Sequence, residues 1–392
     1  MWKLFCFEWK KNVKNTKNLV ILFLFVLLLI GYILVNMNLS HKYVTDQMTD
    51  YASDKWYSVV AMNDILNTYG NYEMPEKEQE RVDFWREIYQ YATSQMVYKH
   101  WRGEDRWKDI VRETIDKDRY LLQGKTSGLI TYDRINVQEL RNEIEKYTIL
   151  YEKNIKPMES EYVMNSYNFL YRLLNQLFPY VVVTIILLIC ADSMSSEADT
   201  GSYKFLLLQP YRRTSIYLAK TLATITYSVV TTVLTITIVY FINGLVNGFG
   251  NANYPVAIES YSYERFQSLA MQNGSIDYSG IGIYLLKVIP VAILYLLLAS
   301  VFALLISNIA LSSISAMSLS VGFSLGAILL QPYFKEMEFF TKIFPVSYSN
   351  PVSVLSGEVH GTALLAVIVL TVGIVALYIF NYVLFKRKDI IC

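Results

Sequence analysis

The chain of 392 residues contains few of the side chains from which catalytic and metal sites are built. Histidine and cysteine occur only three times each, and there is no HExxH pair that could hold zinc. The GxxxxGK[ST] loop that cradles nucleotide phosphates is also missing. The sequence therefore predicts a protein that is not an enzyme, with no catalytic residue, no metal site and no cofactor bound by this chain.

Charged residues are absent from five long stretches, at 18–40, 173–191, 221–258, 288–334 and 361–385. About 20 helical residues cross a hydrocarbon core of roughly 30 Å, so the fourth stretch is long enough for two crossings. Barrel strands would alternate apolar and polar residues, and that alternation is not seen in the sequence. We therefore predict an all-α polytopic membrane protein. Its six transmembrane helices are expected at 18–40, 173–193, 218–242, 284–306, 310–331 and 362–385.

The net charge of +1 gives no reason to expect a nucleic-acid partner. Outside the long hydrophilic segment 41–172, lysine and arginine are concentrated in residues 1–17, 194–217 and 386–392. The positive-inside rule places these three segments, and hence both termini, in the cytoplasm. The residue usage, rich in tyrosine, lysine and asparagine, is typical of a low-GC bacterium, so we expect the chain in a bacterial cytoplasmic membrane.

Residues 1–17 precede the first predicted span. Trp2, Phe5, Trp9 and Val13 recur at helical spacing, with lysines on the other face. This pattern is typical of an amphipathic helix that lies in the membrane interface. The alternative, the basic start of a signal peptide, is less favoured because the apolar stretch that follows is long enough to span and no small-residue cleavage site follows it.

A hydrophilic insert of domain size, residues 41–172, follows the first span. We expect it to be extracellular, because long loops are exported regardless of their charge, and mainly helical, because its apolar residues recur at spacings of three and four. Its aromatic residues could line a ligand surface, but a small-domain core or a position at the lipid headgroups is the favoured interpretation. Two further extracellular segments are expected at 243–283 and 332–361, and prolines in the second favour a re-entrant or interfacial structure.

No acid, lysine or arginine lies in the middle of a predicted span. Ion-coupled carriers usually place such groups at bilayer depth, so the chain is predicted to lack its own energy source. The fifth span is rich in small residues, among them Gly322 and Gly326 in a GxxxG arrangement, which allows helix backbones to approach closely. Packing within one subunit, a dimer contact and a substrate path are all open interpretations of this face.

Residues 192–220 contain the largest predicted cytoplasmic loop and carry an ordered series of residues. The series runs through Glu197, Gly201-Ser202, the leucines at 206–208, Pro210, Arg212-Arg213 and Lys220. This order, combined with the predicted topology, resembles the signature of ABC-2-type transporter permeases. Threonine is commoner in that signature at the position of Ser202, and serine at the position of Tyr211.

The resemblance implies the membrane subunit of a bacterial ABC exporter. Such a subunit works as a dimer with a second permease and with separate ATPase subunits, which bind ATP and Mg²⁺. In this family the loop after the second span forms a coupling helix that docks on the ATPase. The residues that match this role are Glu197, Gly201, Tyr203, Phe205, Leu208, Pro210, Arg212 and Arg213.

Physical reasoning agrees with a docking helix at 201–209. Such a helix could rest Phe205 and Leu208 in a groove of the partner, with Glu197 and Arg212 in a charged rim that sets the register. The other interpretation is that the two arginines only anchor the third span at the lipid headgroups.

Three functions are compatible with this sequence. The leading hypothesis is an exporter that moves an amphipathic substrate, either a peptide or a lipid-like or drug-like molecule, outward by alternating access. The size of the insert motivates a second hypothesis, a sensory or immunity complex in which the insert binds an extracellular ligand without transport. A third, a sodium-extruding system, has no intramembrane carboxylate in its favour.

Overall fold

A computed structural model describes residues 1–70, 72–100, 106–129, 137–201, 211–258, 261–262, 270–271, 277–334 and 337–387. The helices of the first half are α1 (Trp2–Lys14), α2 (Thr16–Tyr69), α3 (Glu76–His100), α4 (Trp107–Thr126), α5 (Val137–Glu152), α6 (Ser166–Arg172), a π-helical segment (Leu173–Val182), α7 (Val183–Cys190) and α8 (Ser195–Asp199). The second half contains α9 (Arg213–Asn247), β1 (Pro255–Ile258), β2 (Tyr261–Ser262), β3 (Ala270–Met271), β4 (Asp277–Gly280), α10 (Ile281–Ile309), α11 (Ser313–Phe334), α12 (Glu338–Ile343), a 3-10 turn (Pro345–Tyr348), α13 (Pro351–Ser356) and α14 (Ala363–Arg387).

Six helical segments among the described residues are long and apolar enough to cross a membrane. They are Thr16–Tyr43, Ser166–Asp199, Arg213–Asn247, Ile281–Ile309, Ser313–Phe334 and Ala363–Arg387. The prediction of a mainly helical chain with six spans is confirmed. We call the end of this bundle that carries α1 the leader end, and the end that carries α3 to α5 the insert end.

The first apolar segment and the start of the insert form one helix. The sequence contains no proline or glycine between residue 41 and Gly70, so nothing ends the helix where the apolar stretch ends. Helix α2 therefore runs for 54 residues and stops at Gly70, which adopts a φ of +53°. Helices α3, α4 and α5 complete the insert, and α3 packs against α2 and α4.

The centre of the insert is aromatic. Phe84 and Ile88 of α3 are buried, and the ring of Phe84 stacks on that of Tyr120 with 4.8 Å between centroids. Trp85 is partly buried against the same cluster, whereas Trp56 is 61% exposed. At α3 and α4, aromatic residues thus act as core side chains, as the favoured interpretation of the sequence holds.

The prediction of an all-α chain is incomplete in the segment 243–283. Strand β1 pairs with β4 in an antiparallel arrangement, with Pro255 opposite Gly280, and β2 pairs with β3. Val256 and Ile258 in β1 are β-branched residues that favour a pleated strand. The sequence predicted that the third span ends before them, but the charge-free block in which they lie gave no sign of strand pairing.

The second and fourth spans form the centre of the bundle. More than half of the most apolar window of each is buried inside the chain, against less than a quarter in the other four. Pro179 lies within the π-helical segment of the second span. Proline cannot donate a backbone hydrogen bond, and a wider helical turn is a usual way to accommodate it.

Short helices follow the fifth span, where prolines predicted an irregular segment. Helix α13 packs against the π-helical segment and α10, and all six of its residues are buried. The side chain of Asn350 accepts from the backbone N–H groups of Val352 and Ser353 and so caps α13. Its Nδ2 also donates to the backbone oxygen of Asn175 at 3.0 Å, which joins α13 to the second span.

Candidate functional site

The candidate site is the junction at the leader end, where α1, α8 and the first turns of α9 meet. Asn15 adopts an extended conformation, which separates α1 from α2, and its side chain caps α2 by accepting from the N–H of Lys17. Helix α7 ends at Cys190, and after one turn the chain forms the short helix α8, the last part of the second span. Gly201, with a φ of +67°, follows α8 in a left-handed conformation that glycine adopts easily.

An ion cluster lies at the centre of the junction. The Oε1 atom of Glu197 on α8 is 2.6 Å from the Nζ of Lys11 on α1, and it also pairs with the Nζ of Lys220 on α9. The side chains of Glu197 and Lys220 are only 5% and 4% exposed, whereas that of Lys11 is 47% exposed. Since an unpaired buried charge is costly, Glu197 and Lys220 depend on each other.

Glu8 supplies a second negative charge at the junction. Its side chain lies on α1 one turn before Lys11 and is buried, and its charge acts on both Lys11 and Lys220. Burial disfavours the charged form of Lys11, but the neighbouring carboxylate of Glu197 outweighs this effect, and the pKa of Lys11 is raised. The cluster therefore balances two acids against two ammonium groups.

A second ion pair joins the start of α2 to the end of the second span. The Nζ of Lys17 is 2.5 Å from the Oδ1 of Asp192 and also donates to the backbone oxygen of Leu188 at 2.8 Å. Both charged side chains are at least three-quarters buried. The segment between α7 and α8 is thus attached to the first span, and α8 itself is attached to α1.

Helix α8 is also bound to the fourth and fifth spans. The hydroxyl of Ser307 on α10 accepts from the N–H groups of Met194 and Ser195, at 2.9 and 3.1 Å. At the other end of α8, Oδ2 of Asp199 accepts from the N–H of Ser313, at the start of α11. A displacement of α8 would consequently act on four different spans.

The structure corrects the expected orientation of Glu197. The sequence suggested that Glu197 would lie in a charged rim facing a partner, but its carboxylate points into the junction because both Lys11 and Lys220 reach it there. Arg212 and Arg213, in contrast, are exposed. The other residues assigned to docking lie outside the described residues: Tyr203, Phe205, Leu208 and Pro210.

Gly322 and Gly326 do not pack against another helix in the described part of the chain. A Cβ atom placed on either glycine would meet no atom within 4 Å. Packing within one subunit, one of the open interpretations of the GxxxG arrangement, is therefore not seen among the described residues.

Sequence reasoning missed several contacts of the junction. The predicted spans at 284–306 and 310–331 left Ser307 and Asn308 between two helices, but α10 continues to Ile309 and they lie on its last turn. They stay helical because the side chain of Ser307 caps α8 and the Nδ2 of Asn308 donates to the Oδ1 of Asn381 on α14 at 3.0 Å. Glu8, the only acid in a lysine-rich leader, was the one sequence signal that α1 has an inward charged face.

Within the described ranges, no group of three or more histidine, cysteine or acidic side chains could hold a metal ion. The junction can transmit movement, because buried ion pairs and backbone hydrogen bonds connect the short helix α8 to the helices around it.

Comparison with known proteins gives one family. Residues 2–390 match the family model described as ABC-2 family transporter protein, a match that includes α1, the insert and the junction. No curated protein is matched by the sequence.

Proposed function

The chain belongs to the ABC-2 transporter family and is a multi-pass membrane component of an ABC transporter, and from this premise we propose that it exports an amphipathic substrate. The substrate class is a peptide or a lipid-like or drug-like molecule. The chain works with ABC ATPase subunits, which hold ATP and Mg²⁺. Both termini and the 197–213 loop lie on the cytoplasmic side of a bacterial membrane, and the insert lies outside.

The observation that carries this proposal is the position of Glu197 between Lys11 and Lys220. An ATPase that pulls on the 197–213 loop would move α8, and the ion pairs would transmit that movement to α1 and α9. Through Ser307 the same movement reaches α10, one of the two central spans. Alternating access needs a coupling of this kind, because the bundle has to change its arrangement around the substrate path.

The surface that meets the ATPase includes Arg212 and Arg213. Both side chains are exposed at the start of α9, next to the segment that the family uses for docking. Exposed charges at the rim of an interface steer association and set register. Lipid headgroups could attract the same arginines, and the experiment below separates the two roles.

The test is to co-express the chain with the ATPase encoded beside its gene and to purify the complex. The double substitution Arg212→Glu and Arg213→Glu is expected to reduce the amount of ATPase that co-purifies. Arg119→Glu, at an exposed arginine in the insert, is the matched control and should change nothing. Full retention of the ATPase by the double variant, with the chain still inserted in the membrane, contradicts the docking assignment.

A second permease completes the transporter in this proposal. The face of α11 around Gly322 and Gly326 is open, and Leu319 and Phe323 beside it are 45% and 62% exposed. These features support a contact with another helix from a second copy or a related permease. Replacing Gly322 by leucine should weaken self-association of the chain in detergent, measured by light scattering. If the molar mass of the protein in detergent is unchanged by this substitution, the face of α11 is not the contact with a second permease.

A cavity at the insert end favours sensing as a second candidate function. It has a volume of about 410 Å³ and is lined by the segment that leads from the insert into α6, by residues 250–254 and by Ile281. Asn165, Tyr167 and Tyr254 give it both polar and apolar walls. In vesicles that contain the chain and its ATPase, ATP-dependent movement of a labelled amphipath supports export. Ligand-dependent ATP hydrolysis without movement supports sensing.

A further inference from the structure

A groove at the leader end lies between α1 and the third span. It has a volume of about 360 Å³ and is lined by Phe5, Cys6, Trp9, Lys10 and Thr226. Four of these residues belong to α1, and Thr226 lies on α9. Apart from the lysine, the walls are almost entirely apolar.

The groove is fixed in place by contacts on its inner side. The indole of Trp9 meets the ring of Tyr227 edge-on, with 5.6 Å between centroids. One turn further along α1, the Nδ2 of Asn12 lies 3.5 Å from the hydroxyl of Thr224. Leu4 and Glu8 are the buried residues of α1. The inner face of α1 is therefore used by the chain itself, and the groove opens beside it.

The remaining surface of α1 has one apolar face and one basic face. Trp2 and Val13 are 74% and 43% exposed. Lys3, Lys10 and Lys14 are exposed and follow each other at steps of seven and four residues, which places them on one side of a helix. Among the described residues none of these three lysines forms an ion pair, so their charge is available to another molecule.

We propose that this groove is a binding site for an anionic phospholipid. An acyl chain would occupy the apolar space beside Phe5 and Trp9, and the phosphate would bind the ammonium group of Lys10, with Lys3 and Lys14 on either side. This occupant matches the groove in both charge and position. Phospholipid is the one amphipath always present at the end of a membrane span, and basic residues at that level attract its anionic headgroups.

The site has a direct connection to the junction. Lys10 and Lys11 are consecutive residues of α1, and Lys11 binds Glu197. A phospholipid seated on Lys10 would hold α1 against α9 and keep Lys11 in reach of α8. The proposed lipid site itself requires neither the ATPase nor a transported substrate.

The tryptophans of the chain provide a natural reporter. Two of the six, Trp2 and Trp9, belong to α1, and the other four lie in the insert. Phospholipids with brominated acyl chains quench the fluorescence of indoles that they touch. The full chain is reconstituted in phosphatidylcholine vesicles that contain a small, equal mole fraction of brominated phosphatidylglycerol or brominated phosphatidylcholine.

The expected result is stronger quenching by phosphatidylglycerol than by phosphatidylcholine. The substitution Lys10→Gln should lower this preference by about fivefold, the factor that corresponds to one lysine near an anionic surface. Lys77→Gln, at an exposed lysine in the insert, should leave it unchanged, and Trp9→Phe should weaken it, because the indole that lines the groove is lost and only Trp2, which stacks on Phe5, still reports from α1. Equal quenching by the two lipids in the unsubstituted chain, or an unchanged preference in Lys10→Gln, overturns the proposal. Neither result bears on export, because no ATPase is present.

Discussion

Replacement of Lys220 by methionine is the most direct perturbation of the junction. Methionine has a similar length but no charge, so the substitution leaves the buried carboxylate of Glu197 with Lys11 as its nearest cation. Removing one partner of a buried ion pair costs about 3–5 kcal/mol, because the remaining charge stays away from water. We expect Lys220→Met to lower the free energy of unfolding by an amount in this range.

Two further variants test whether burial of the charged groups causes this loss of stability. Lys11→Met removes an ammonium group whose side chain is half exposed, and it leaves the Glu197–Lys220 pair intact, so its cost should be about 0–1 kcal/mol. The double variant Glu197→Gln with Lys220→Met removes both buried charges. It should be more stable than Lys220→Met alone, since replacing a buried pair by neutral side chains is often close to neutral.

The assay uses a cysteine that lies in the core. Cys190 is fully buried beside Ser228, so a short pulse of a thiol-reactive dye labels it only in unfolded molecules. The variants are compared in a background with Cys6→Ser and Cys392→Ser, during unfolding with SDS in mixed micelles. If Lys220→Met and Lys11→Met lose the same free energy, the assignment of Glu197 and Lys220 as the buried pair is wrong.

Three other predictions concern separate parts of the chain. Burial raises the pKa of Asp118 in the insert to about 7, and its Oδ2 has no hydrogen-bond partner among the described residues. The folded state therefore binds this proton more tightly than the unfolded state, so stability should fall by about 3 kcal/mol between pH 4 and 7, and Asp118→Asn should flatten this dependence in urea unfolding of the full chain. Ser307→Ala leaves the N–H groups of Met194 and Ser195 without their acceptor, and hydrogen exchange at these two amides should become faster by one to two orders of magnitude, the equivalent of about 1–3 kcal/mol. Gly201→Val forces a β-branched residue to a φ of +67°, at a cost of roughly 1–2 kcal/mol, and should reduce the amount of ATPase that co-purifies. The control is Gly31→Val, which should not reduce it, because Gly31 does not have a positive φ and a Cβ atom placed there meets no atom within 4 Å.

The number and type of the spans could be predicted from the sequence because the bilayer imposes them. A segment that crosses hydrocarbon has to be apolar for about 20 residues and has to satisfy its own backbone, so charge-free blocks correspond to helices. The same criterion does not locate helix ends. Helix α2 continues past residue 40 because no proline or glycine follows until Gly70, and α10 continues past residue 306 because Ser307 and Asn308 make contacts from its last turn. Hydropathy indicates neither of these.

The partners within the junction could not be predicted, since they depend on how the helices pack. Lys11 and Glu197 are 186 positions apart, and Met194 and Ser307 are 113 apart. The residue types around Glu197 indicated a functional segment, but they indicated the wrong direction for its side chain. A glutamate next to a polar stretch of sequence is normally expected to be solvated, and only the approach of two lysines from α1 and α9 explains why it is buried.

The unbroken course of α2 fixes the rotational orientation of the insert relative to the first span. An α-helix turns by about 100° per residue, so one residue inserted near position 44 would rotate everything beyond it by that angle. A four-residue insertion would nearly restore the orientation and move the insert about 6 Å further from the membrane. If the insert functions only in one rotational orientation, for instance through a contact with the insert of a second permease, activity should be lost with one extra residue and return with four. If the orientation of the insert does not matter, the one-residue and four-residue insertions should have the same activity.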